Sequence, residues 1–125
     1  MQKLHFESAW DKTIALADRE KIINHFQTEA MYLKDGIHFS FLWTTTNHKG
    51  ERLVTVLIHN HEKTALFLQN TTIAYYEQDK QIAIGIFNLP CVIAGNTTMP
   101  WTFIFSVPNQ IKTLPDYTIM DHVMA

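Results

Sequence analysis

Up to about residue 30 the apolar positions recur three or four apart, and after Lys34 they recur every second residue. The first spacing is that of a helix, the second that of a half-buried strand. Trp10, Ile14, Ile22, Ile23 and Phe26 carry the helical pattern, with Asp18 placed to cap "REKIINHFQTEAM". This predicts a helix from about Asp18 to Ala30, preceded by a helical turn. Ile22, Ile23 and Phe26 face inward, and Arg19, Glu20, Lys21 and Asn24 face water.

In "GIHFSFLWTTT", Ile37, Phe39, Phe41 and Trp43 alternate with His38, Ser40 and Thr44, as on a strand with one buried face. "NHKGE" supplies a turn through Asn47 and Gly50. "RLVTVLIHN" is an almost unbroken β-branched run, which suits a central strand covered on both faces. "KTALFLQNTTIAYYE" continues the strand signal, and "EQDK" is a polar hairpin loop. "QIAIGIF" alternates again through Ile82, Ile84 and Ile86. After the turn-rich "AGNTTMP", "WTFIFSV" places Trp101, Phe103 and Phe105 on one side. The pattern predicts a mainly β fold, an Ig-like antiparallel β-sandwich of six to seven strands with one N-terminal α-helix. A single domain over residues 1–125 is expected, with the helix at about 18–30 and the sandwich at about 36–107. An extended C-terminal arm or short edge strand is expected over 108–125.

Composition narrows the function. The 125 residues are 46% hydrophobic and 12% aromatic, enough for one packed core. A formal net charge of −2 without runs of like charge argues against nucleic acid or an anionic membrane as partner. No stretch reaches membrane-span length, and "MQKLHFESAWDK" has no signal-peptide pattern, so a cytoplasmic protein is expected. Cys91 is the only cysteine, which excludes an internal disulfide and a thiolate cluster.

His59 and His61 are the first candidate chemistry, because an HxH pair on a strand is how small cupin-like barrels grip a metal. That alternative makes the chain a metal-binding enzyme, with His38, His48 or His122 as the third ligand. Glu62 points to the other face of a continued strand. The favoured reading is that "HNHEK" is a solvated hairpin turn, with both histidines titrating independently near 6.5. Replacing both with asparagine is then expected to leave folding nearly intact. Cys91 has apolar neighbours that make a thiol inert. Ser8, Ser40 and Ser106 sit in no nucleophile elbow, and Gly36, Gly50, Gly85 and Gly95 form no phosphate loop. The carboxylates Glu7 with Asp11 and Asp18 with Glu20 fall at helix starts. Neither catalysis nor a cofactor is expected. In "MPWTFIF", Pro100 marks a strand start or an edge, and the aromatics after it are core in preference to an exposed peptide groove.

"LHFESAWDKTIALADREKI", "KGERLVTVLIHN", "NTTIAYY" and "NTTMPWTFIFSV" together resemble the SLAP domain of Gram-positive bacteria, from about Leu4 to Ile111. That domain is named after the S-layer assembly protein of the accessory Sec export system in bacilli. The motifs are the helix start Asp18, Arg19 and Glu20, the turn at Gly50 and the tryptophan strand after Met99 and Pro100. The resemblance implies a non-enzymatic helper of protein secretion. The export-associated protein is similar to two such domains in tandem, whereas this chain carries one. Candidate interaction or family-motif residues are Trp10, Asp18, Arg19, Asn60, Pro100 and Trp101. The expected partner is a protein or extended peptide, either secretion machinery or an exported S-layer protein, and a homodimer joined sheet to sheet is a further arrangement.

Overall fold

A computed structural model describes residues 2–29, 35–106 and 121–124. Strand β1 (Lys3–Leu4) precedes helices α1 (Ser8–Thr13) and α2 (Leu16–Glu29). Strands β2 (Ile37–Thr46), β3 (Arg52–Asn60), β4 (Thr71–Glu77), β5 (Lys80–Phe87), β6 (Thr97–Phe105) and β7 (Asp121–Met124) follow. One sheet has the order β1-β6-β3-β2, the other β5-β4-β7. The expected sandwich is present. Most pairings are antiparallel, but β1 runs parallel to β6 and β7 parallel to β4. Of the C-terminal arm, 121–124 is the edge strand β7, and 108–120 lies outside the described residues.

The core forms because β3 turns Val54, Val56 and Ile58 toward the second sheet. They meet Met99, Phe103 and Phe105 of β6 and Ile73 and Tyr75 of β4. Alternation sends Leu57 to the opposite face, where Ile22 of α2 and Leu42 bury it together with the half-buried Phe6, Trp10, Ile14, Phe26 and Trp43. The helices are therefore a third layer on the first sheet. As expected, β3 is its covered central strand.

Local chemistry explains several departures from the expected elements. Helix α2 starts at Leu16, so Asp18 lies inside its first turn, where a carboxylate meets the helix dipole, and is not the cap. The capping carboxylate is Glu7, which accepts from the N–H groups of Ala9 (2.8 Å) and Trp10 (3.3 Å) at the start of α1. In β2 a bulge between Phe41 and Trp43 adds one residue. A bulge flips the side chains beyond it. Phe39 and Phe41 stay in the sandwich core, while Trp43 joins the helix side.

"KTALFLQN" is not strand. Leu66 makes a single bridge to Ile93, Phe67 is exposed, and Asn70 takes a left-handed φ of 50° just before β4. In β5 Ile82 packs against the core together with Ala83 and Phe87, whereas Ile86 is 55% exposed. Gly85 lets this happen, since a Cβ there would stand 3.0 Å from the Phe87 ring. Pro100 lies within β6 on its outer edge. The Thr98 carbonyl accepts from His5 N–H of the neighbouring β1 side (2.9 Å), and by alternation the Pro100 nitrogen points the same way, so β3 loses no donor.

Candidate functional site

The outer face of the first sheet has a polar end, a helix-covered middle and an open end. At the polar end His59, the penultimate residue of β3, is fully buried. Its Nε2 lies 2.8 Å from the Ser40 hydroxyl on β2 and its Nδ1 2.9 Å from the Thr98 hydroxyl on β6. Gln2 closes the arrangement by donating its amide to Thr98 Oγ1 (3.0 Å) and to the Asn60 carbonyl (3.1 Å). The His61 ring stacks on that of His59 at 5.9 Å and meets His38 edge-on at 6.0 Å.

The expected solvated turn is therefore corrected. The strand runs through Asn60, and β2, β6 and Gln2 enclose His59. Burial, reinforced by the charges of His61 and His38, lowers the His59 pKa from 6.5 to about 4. The pKa of His61 is also lowered, by burial first and then by His38, with Asp35 opposing. The two histidines are coupled, not independent. With both ring nitrogens of His59 engaged, the metal reading lacks its first ligand, and no group of His, Cys, Asp and Glu among the described residues is arranged to hold a metal. His122 belongs to β7, whose side chains lie outside the described residues.

Asn60 is a structural clamp. Its Nδ2 donates to the carbonyls of Thr64 (2.9 Å), Ile93 (3.1 Å) and Ala94 (3.1 Å), and its Oδ1 accepts from Glu62 N–H (3.0 Å). The turn after β3 is thereby tied to the segment entering β6. Cys91 is half-buried with its thiol against Met99 sulfur (3.8 Å), and burial raises its pKa, as expected of an inert thiol.

At the open end, beyond Leu57, the helices stand away from the sheet and leave a groove of about 410 Å³. Trp10, Ile14 and Asp18 form its helical wall, and Trp43, Leu53 and Thr102 its sheet wall. Leu16 is 71% exposed next to the helical wall, and Ile104 is 51% exposed on the strand that carries Thr102. Trp101, level with the inward-facing Val56, is half-buried and packs against the sandwich core, as expected, where Phe103 and Phe105 are fully buried, and its ring also stacks on Trp10 at 6.4 Å. Arg19 holds Asp11 at 2.8 Å and lies 4.6 Å over the Phe6 ring, locking α2 to α1.

The fold thus brings Trp10 and Asp18 together in the groove, stacks Trp101 of the sandwich core on Trp10, and at the other end of β3 turns His59 to the outer face and Asn60 to the inner one. Sequence reading missed Trp43 and Thr102 in the groove and Ser40, Thr98 and Gln2 around His59. The run of three apolar residues in "FLW" breaks strict alternation and was the available signal for the bulge. Nothing local marks the hydroxyls.

Among protein-family models, the SLAP domain matches residues 4–119. No curated protein and no solved structure matches.

Proposed function

The chain belongs to the SLAP domain family, whose model covers nearly all of it, and on that premise we propose that it is a non-enzymatic, cytoplasmic interaction module that assists accessory Sec export and S-layer protein assembly. One observation carries the reading: a groove walled by two indoles and flanked by exposed Leu16 and Ile104, next to the part of this face that the helices cover. Contiguous exposed apolar surface of this kind is where polypeptides dock, with buried aromatics as anchors. The family tie supports the process, and the groove supports this face as the place of contact. A secretion component or an exported protein lies in the groove as an extended segment, its apolar side chains against Trp10, Trp43 and Leu53. None of the described helices is long and apolar enough to cross a membrane.

Photo-crosslinking in the host cell tests this. A benzophenone residue replacing Thr102 is expected to capture an exported protein or a component of the export machinery, and Ile104→Asp to reduce that capture. Absence of any adduct from a folded, fully expressed protein, or adducts only between copies of this chain, overturns it.

A further inference from the structure

The groove's chemistry specifies its occupant more closely. We propose that it receives a cationic side chain, lysine or arginine, carried on an apolar segment of the partner; this rests on reading the face as a docking surface.

Two of the lining residues are tryptophans and one, Asp18, is a carboxylate; no lysine or arginine lines the groove. Asp18 has no ion-pair partner among the described residues, since Arg19 is held by Asp11, and Arg52 lies beside Glu77. The lining hydroxyls are largely engaged: Thr55 and Thr102 bond each other at 2.8 Å, and Thr13 donates to the Ala9 carbonyl at 2.9 Å. What the groove's lining offers is thus one carboxylate without an ion-pair partner among the described residues, in company with two indoles. Such a setting attracts a cation twice, through the carboxylate and through the ring quadrupoles. The protein's own side chains already do this: Lys21 Nζ sits 5.8 Å from the ring of the lining residue Trp43, and elsewhere Arg19 lies over Phe6. An acidic ligand would meet Asp18 with no lysine or arginine in the lining itself to answer it, and like charges brought together there disfavour binding. Leu16 and Ile104 then contact the apolar residues flanking the cation. The matching ligand is a segment in which a basic residue adjoins an apolar run.

Two short synthetic peptides test the assignment on the full chain, one with leucines around a lysine pair and one with glutamates in place of the lysines. Two of the three tryptophans line the groove and the third, Trp101, stacks on one of them, so tryptophan emission reports occupancy. The lysine peptide should saturate the change, with affinity falling as salt rises, and the glutamate peptide should bind at least about tenfold more weakly. Asp18→Asn should weaken the lysine peptide about tenfold while lowering Tm only slightly, through the lost helix-dipole contact, and Thr102→Trp should abolish binding by filling the groove. Equal binding of both peptides, or an Asp18→Asn variant that binds the lysine peptide as tightly as the parent, overturns the cationic preference and leaves the docking reading standing. If neither peptide binds while the Thr102 crosslink still forms in cells, the preference alone falls. If both fail, the docking reading falls with it.

Discussion

Replacing His59 with glutamine should change how stability depends on pH, and the size follows from the contacts. The imidazole is fully buried and bonded to Ser40 and Thr98 at 2.8 and 2.9 Å. Glutamine cannot reach both hydroxyls from that backbone position, so the variant should lose about 2 kcal/mol near pH 7.5, one or two buried hydrogen bonds at about 1 kcal/mol each. Acid reverses the comparison. The unfolded chain takes up a proton near 6.5, whereas the folded imidazole resists it down to about 4. Between those values the unfolded state binds more protons, so stability falls as pH falls, and the loss is complete below the folded value. At about 1.4 kcal/mol for each tenfold in proton affinity, the parent loses on the order of 3 kcal/mol across that window. The variant has no such group at this position. Urea unfolding followed by tryptophan fluorescence, from about pH 7.5 to pH 4, should show the two stabilities converging and then crossing. A constant separation across the whole range would refute the buried, neutral His59.

Ile22→Ala should cost about 3 kcal/mol by thermal or urea unfolding, because the side chain is wholly buried under α2, and Phe26→Ala should cost less because that ring is half-buried. Asn60→Ala should cost about 3 kcal/mol, and Asn60→Asp more, since a carboxylate would face the three carbonyls that the amide now serves; equal losses in a direct comparison would contradict the clamp. Gly95→Ala should lower stability by about 2 kcal/mol, because the new Cβ would stand 2.2 Å from the Lys63 carbonyl oxygen, a backbone atom that cannot rotate away. Asn replacement of both His59 and His61 should destabilise the protein clearly in the same assay, contrary to what an exposed turn would give.

The sandwich was legible because β2, β3 and β6 carry their burial in the order of their residues. A strand covered on both faces reads as an apolar run, as "RLVTVLI" does. His59 was misread for a related reason. A polar residue ending an apolar run looks like the start of a turn, and only the distant Thr98 and Gln2 make it interior. Sequence periodicity carries no information about such partners. Trp43 was assigned to the wrong face because one extra residue in a strand reverses everything after it. Asp18 and Trp10 were singled out from the helix pattern and the family motif. Their meeting with Trp43 in one groove depends on the bulge and on the angle between helix and sheet, neither of which has a local signature.

The parallel pairing of Lys3 with Thr97 also governs when the fold can form. The β2–β3 and β4–β5 hairpins close over short loops and can appear as soon as each is synthesised. Strand β3 then waits for β6 across the whole β4–β5 hairpin, and β1 has no neighbour until Thr97 and Thr98 exist. Closing such distant contacts costs chain entropy before burial repays it, so folding should be slow for a chain this short and nearly all-or-none. Until β6 arrives, the apolar flank of β3 and the face of α2 bearing Ile22 remain open to chaperones or to other chains. A nascent chain ending at Phe87 would therefore hold both hairpins and still lack a closed sheet.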